Sequence, residues 1–244
     1  MRGESSDSGH PEDRNLSSWL LIGFGAVYLA FLGVFAYLAS AIDHFPGELR
    51  TVVWVDSWRT SWLDTFMKAI SAPGFGLAAW TLVGVAFAVL YLRGWRKEGG
   101  LILLATLVSS GVNLAVKEAV ARPRPPADVA GVFGDLDGFS FPSGHVMHYV
   151  VFLGALAAVS TWNMKPGARW LIHLALVMAL MAVGVSRIYL GAHWLGDVVG
   201  GYAFGAVVLA AFVGLWRLWV RMEAPTAGRD ESGATGMPPF DNGS

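Results

Sequence analysis

The chain alternates between long apolar runs and short polar interruptions, and the runs are long enough to cross a bilayer. From Trp19 to Ile42 it is almost purely apolar. A hydrocarbon core needs about 20 such residues as a helix. Further runs cover Pro73 to Leu92, Leu101 to Val120, Val146 to Trp162, Trp170 to Val185 and Val198 to Val220. The last two but one are short, so flanking residues complete them. Backbone polar groups inside a bilayer must pair within the chain, so these runs are expected to be helices. The pattern predicts an all-α, polytopic membrane helix bundle with six transmembrane helices. The first run exceeds the ~7–15 apolar residues of a signal peptide, so it is read as an uncleaved span.

Residues 51–72 follow a different pattern. Trp54, Trp58 and Trp62 recur every four residues and share a helical face, while Asp56, Arg59, Asp64 and Lys68 interrupt the run. This suits a helix on the membrane surface with its indoles at headgroup level; a helix packed on the bundle fits equally well. Residues 1–16 and 223–244 are rich in Ser, Asp, Gly and Pro and read as disordered tails. The membrane domain is thereby placed at 17–222.

Composition agrees with this layout. Hydrophobic residues make up 55% of the 244 and charged residues 14%, against about 25% charged in a soluble domain. The formal net charge of -1 gives no footprint for nucleic acid. The chain has no cysteine, which excludes a thiolate nucleophile or a Cys-ligated metal.

Charges near the spans are scarce, and an ionisable group at membrane depth is by default a functional candidate. Three clusters stand out. In the first, Lys117 and Arg124 stand seven residues apart, about two helical turns, so they could share a face. Cations at a helix end also serve the dipole and snorkel to headgroups. In the second, Phe141-Pro142-Ser143-Gly144-His145 precedes a span. A turn into a helix N-terminus attracts anions, Ser143 adds a hydroxyl, and His145 can move a proton near neutral pH. Ser143 could also be a simple helix cap. In the third, Ser186-Arg187 is followed by His193 and Asp197. These last two are at i and i+4 and could share a helix face. A carboxylate there can hold one imidazole nitrogen and leave the other as nucleophile or base.

Together the three clusters resemble the type 2 phosphatidic acid phosphatase superfamily, whose pattern is K-x6-RP, then PSGH, then SR-x5-H-x3-D. Lys117 with Arg124-Pro125, Pro142 to His145, and Ser186-Arg187 with His193 and Asp197 match it in order and spacing. The resemblance implies a metal-independent membrane lipid phosphatase without a cofactor. It implies that His193 attacks phosphorus to form a phosphohistidine, Asp197 orients it, and His145 protonates the leaving group. Lys117, Arg124, Arg187, Ser143 and the Gly144 amide would bind the phosphoryl oxygens. The substrate would be a lipid phosphate or diphosphate of the undecaprenyl diphosphate, phosphatidylglycerol phosphate or phosphatidic acid type, met among membrane lipids.

Other readings remain to be weighed. His145, His148 and His193 with Asp197 could ligate zinc, but the three cations would repel it. Vanadium-dependent haloperoxidases share the anion pocket but are soluble. A lipid phosphotransferase would use the same site. A non-enzymatic lipid-binding protein would be expected to have lost His193 or Asp197. The segment Pro126 to Ser140 is expected to cover the site, and its Asp128, Asp135 and Asp137 would disfavour a highly anionic headgroup.

Six spans place Arg2, Arg14, Arg93, Arg96, Lys97, Lys165, Arg169, Arg217, Arg221 and Arg229 on the side of both termini. With Lys117, Arg124 and Arg187 set aside as pocket residues, the other side keeps Arg50, Arg59, Lys68 and Arg122. Cytoplasmic loops carry the excess of Lys and Arg. The chain is therefore expected in the plasma membrane, with both termini cytoplasmic and the site facing outward.

Overall fold

The computed structural model describes residues 11–74, 76–130, 137–163 and 166–223. Nine α-helices and one short 3-10 turn make up the described residues, with no strand among them. They are α1 (Pro11–Ala41), α2 (Glu48–Asp56), α3 (Ser61–Ser71), the 3-10 turn (Ala72–Gly74), α4 (Gly76–Leu92), α5 (Arg96–Val120), α6 (Ala127–Ala130), α7 (Gly144–Asn163), α8 (Pro166–Tyr189) and α9 (Leu195–Glu223).

Five of these are long and apolar enough to cross a membrane: α1, α5, α7, α8 and α9. The pair α3 and α4, bent by 59° at Gly74–Gly76, forms a sixth when taken as one broken span. The bundle is therefore the expected all-helical membrane fold. The second crossing is bent, however: α4 has 17 residues, short of the ~20 a span needs.

The core lies where α4, α5, α7 and α9 meet, around Val83, Ile102, Val151, Ala155 and Phe212. Helix α7 is the central post, and α1 is the most peripheral span, touching α5 and α9 with Tyr28, Ala36 and Ala39 while Leu21, Phe24 and Val27 face outward. A helix apolar all round is what lipid on one side and protein on the other require.

Three local expectations are corrected. Residues 51–72 do not form one helix. Helix α2 ends at Asp56, where Arg59 Nε meets Asp56 Oδ1 at 2.7 Å and Ser57 Oγ turns back to the Trp54 carbonyl at 2.6 Å. Thr60 is then extended, with φ -146°, and α3 starts anew. Trp54, Trp58 and Trp62 stay exposed all the same. Lys117 and Arg124 do not share a helix face. Ala121 takes a left-handed conformation, φ 51°, and Pro123 and Pro125 prevent continuation. At the N-terminus, α1 begins at Pro11, inside the stretch assigned by composition to a tail. Residues 1–10 and 224–244, the rest of both tails, lie outside the described residues, as does Asp135.

One end of the bundle gathers the C-termini of α5 and α8 and the N-termini of α7 and α9. Ala39, near the end of α1, packs there with Val120 and Phe141. The start of α1 and the end of α9 therefore both lie at the opposite end.

Candidate active site

At that end is a cavity of about 580 Å³. Lys117, Arg124, Gly144, His145, Arg187 and His193 all line it, although they come from three helices and two connecting segments. Residues separated by as much as 76 positions in sequence thus face one volume. Ser143 is fully buried beside Gly144, and Asp197 stands behind His193.

The turn Gly191–Trp194 delivers the imidazole. Helix α8 ends in Tyr189, Gly191 is left-handed at φ 67°, and the Ala192 N–H reaches back to the Arg187 carbonyl at 3.1 Å. A glycine just past a helix end is the usual way to reverse the chain. His193 therefore precedes α9 and does not share a helix face with Asp197, as the spacing had suggested. The two meet nonetheless, because Asp197 occupies the first turn of α9 and folds back. Its Oδ2 accepts the Trp194 N–H at 2.9 Å and faces His193 Nδ1 at 3.5 Å. The backbone contact is half of a capping box, in which an acidic side chain in the first turn satisfies the N–H of the cap residue. Asp197 thus has a helix-capping role and an imidazole-facing role at once. The 3.5 Å gap exceeds hydrogen-bond distance, and Nδ1 makes no hydrogen bond among the described residues.

His193 is buried, and burial is the main reason its pKa is held well below the ordinary value of 6.5. The charges of Arg187, Lys117 and Arg124 push the same way. An imidazole kept neutral retains the lone pair that a nucleophile needs.

The cations are oriented by neutral groups. Lys117 Nζ donates to the Phe139 carbonyl at 2.6 Å and the Ser140 carbonyl at 3.2 Å. Arg124 donates from Nε to the Gly138 carbonyl at 3.0 Å and from Nη1 to the Ala192 carbonyl at 2.8 Å. Arg187 Nη1 donates to Ser71 Oγ at 2.5 Å, and its Nε is left without a partner. Among the described residues no ion pair joins these three cations to a carboxylate, so their charge is available to an anion.

The Phe141–Pro142 peptide is cis, and the turn it belongs to starts α7. Asn113 Nδ2 of α5 donates to the Pro142 carbonyl at 3.2 Å and pins the turn. A Cβ at Gly144 would stand 2.9 Å from Asn113 Oδ1, so any larger residue there would displace the Asn113 amide. As the first residue of α7, Gly144 has an N–H without an intrahelical acceptor. Ser143 Oγ is buried without a partner. Gly144 and three cations thus line one volume, with the Ser143 hydroxyl buried next to it in sequence, an arrangement suited to a tetrahedral oxyanion.

Among the described residues, no three His, Asp or Glu side chains approach closely enough to hold a metal, so His145, His148, His193 and Asp197 do not form the zinc site considered above. Of the three acidic residues expected to cover the pocket, Asp137 lines it, Asp128 does not and Asp135 lies outside the described residues; Glu118 is an unforeseen second carboxylate at the wall. Four further residues escaped the motif reading: Ser71, Asn113, Glu48 and Arg122. Only Arg122 carried a signal, as a second Arg-Pro two residues before Arg124.

The PAP2 superfamily model matches residues 98–222. Phosphatidylglycerophosphatase B of Bacillus subtilis (strain 168) is 30% identical over 155 residues, covering 62% of this chain and 73% of that protein. Undecaprenyl-diphosphatase of Sulfolobus acidocaldarius is 26% identical over 127 residues, covering 51% of this chain and 58% of that protein. The crystal structure of a transmembrane PAP2-type phosphatidylglycerolphosphate phosphatase from Bacillus subtilis superposes with a TM-score of 0.68 at 24% identity, over 78% of this chain and 96% of that one. The motifs at Lys117, Ser143 and His193 all fall inside the matched segment, which is more than half of the sequence; the chain belongs to the PAP2 superfamily.

Proposed function

We propose that this chain is a membrane lipid phosphatase that hydrolyses a terminal phosphate through a phosphohistidine at His193. Its relatives are phosphatases, and the chain is a phosphate-ester hydrolase. The observation that carries the mechanism is the cavity itself, with a buried neutral imidazole facing three cations that form no ion pair with a carboxylate among the described residues.

His193 attacks phosphorus through Nε2, the nitrogen away from Asp197. The P–O bond to the lipid breaks, and His145 gives its proton to the departing oxygen. Water then attacks the phosphohistidine, the P–N bond breaks, and His145 takes the proton back from that water. Charge on the equatorial oxygens meets Lys117, Arg124 and Arg187, with Ser143 and the Gly144 amide as neutral donors. Asp197 stabilises the positive imidazole that forms on attack.

The cavity lining and the relatives both support a lipid phosphate as substrate. The cavity lining also includes Ala79, Trp80 and Leu114, apolar side chains suited to a lipid chain. Phosphatidylglycerol phosphate, phosphatidic acid and undecaprenyl diphosphate are the substrates to test.

The experiment is phosphate release by the purified chain against that panel, with acid-labile, base-stable labelling of His193 by ³²P-substrate as the second readout. Release with labelling supports the proposal. Release without labelling in rapidly quenched samples would replace the covalent step by direct attack of water. Loss of release in EDTA, restored by a divalent ion, would replace the whole mechanism by a metal-dependent one.

A further inference from the structure

Arg122 differs from the other cations at this end of the bundle. It is 1% exposed and does not line the cavity. Its Nη1 donates to Asp197 Oδ1 at 2.8 Å and its Nη2 to Glu48 Oε2 at 2.6 Å. Glu48 and Asp197 are buried as well. The guanidinium lies over the Phe45 ring, 4.7 Å from its centroid. Glu48 Oε1 also accepts the Gly196 N–H at 2.6 Å, one residue before Asp197. A continuous line of contacts thus runs Glu48–Arg122–Asp197–His193, from the start of α2 to the imidazole.

Packing does not call for this arrangement. Three buried charges carry a desolvation cost that apolar side chains of similar volume would avoid. Charge balance accounts for it better. Arg122 and Asp197 alone sum to zero. His193 would then face Lys117 from α5, Arg124 from the segment after it, Arg187 from α8 and His145 from α7, opposed only by Glu118 and Asp137 at the cavity wall, which lie beside Lys117 and Arg124. Attack on phosphorus makes the imidazole positive, and that charge needs an anion nearby. With Glu48 the buried set is formally -1.

We propose that Arg122 and Glu48 are positioning residues for the reaction: Arg122 fixes the Asp197 carboxylate, and Glu48 offsets Arg122 so that the negative charge of Asp197 reaches His193. This rests on His193 being the nucleophile.

The test uses the full chain and two variants, each checked for folding by gel filtration and thermal unfolding. Glu48→Gln keeps the side-chain shape and removes one negative charge. Its kcat is expected to fall about 10–100-fold, the usual scale for partners one shell behind a reacting group, with KM little changed. Its acidic limb in kcat/KM is expected to move to lower pH, because a protonated His193 loses a favourable neighbour. The double variant Glu48→Leu/Arg122→Met removes both charges and returns the set to -1. Its acidic limb is expected back at the wild-type position, while kcat stays low because Asp197 has lost its fixing partner.

A structural role alone would lower the folded fraction and leave the pH profile of the remainder unchanged. An unshifted limb in Glu48→Gln, or wild-type kcat in the folded double variant, would overturn the proposal. If Glu48→Gln does not fold, the turnover of the double variant decides. Absence of phosphate release by the wild-type chain is a different result, and would sink the phosphatase reading instead.

Discussion

Each group in the cavity is set up by its neighbours to do one task, and single substitutions separate the tasks. His193→Ala is expected to abolish turnover, since no other imidazole stands beside Asp197. Retention of near-normal phosphate release would contradict the nucleophile assignment. Asp197→Asn loses the charge that supports the imidazole; in serine proteases the analogous change costs about 10⁴-fold in kcat. It also keeps an oxygen that can cap Trp194, so the expected loss is in rate more than in folding. His145→Ala should hurt alkyl phosphates by about 10²–10⁴-fold, the range of general acid–base catalysis, and an activated aryl phosphate much less. Equal losses on both would remove His145 as the acid. The depressed pKa of His193 fixes the sign of the pH dependence. The reactive form is neutral and persists as pH falls through the ordinary histidine value. The acidic limb of kcat/KM, corrected for ionisation of the substrate phosphate, should therefore lie below about pH 6.5. A limb at or above that value would show an unperturbed imidazole.

At the scale of elements, the site depends on how closely α5 and α7 approach. Gly144 and Gly111 make a matched pair. A Cβ at Gly144 meets Asn113 Oδ1 at 2.9 Å, while one at Gly111, in the middle of α5, meets nothing within 4 Å. Gly111→Ala should be neutral or stabilising by about 0.5–1 kcal/mol, because glycine inside a helix costs that much relative to alanine. Gly144→Ala should be destabilising by about 1–3 kcal/mol through overpacking, and should slow turnover by moving the Ser143–Gly144 turn. Thermal unfolding in detergent reads the first effect and phosphate release the second. Similar melting temperatures for the two variants would mean that α5 yields freely at Asn113.

For the whole molecule, the question is which side the site faces. The start of α1 and the end of α9 lie at the end away from the cavity, and the excess of Lys and Arg flanks that end. On the positive-inside rule we propose that the cavity faces outward, within reach of lipids in the outer leaflet. The chain has no cysteine to interfere with labelling. In intact cells or spheroplasts, Ala127→Cys is expected to react with an impermeant maleimide, and Gly94→Cys only after lysis. The reverse pattern would overturn the orientation and the outer-leaflet substrate with it.

The sequence by itself determined the parts that rest on local chemistry. Apolar length set the membrane crossings, because a helix must match the thickness of hydrocarbon. Scarcity of charge made the three clusters visible, because an ionisable group at depth must have a reason to be there. It did not determine the exact helix ends: Ala121 takes a left-handed turn, and α2 stops at Asp56 with α3 restarting after an extended Thr60, breaks that the apolar pattern does not mark. Only the tertiary structure sorted the arginines. Arg122 and Arg124 both stand before a proline two residues apart, yet Arg122 turns into the protein between Glu48 and Asp197 while Arg124 lines the cavity. The difference is made by partners some 70 positions away in either direction. A charge's role depends on the groups that surround it in space, and those are assembled only when the helices pack.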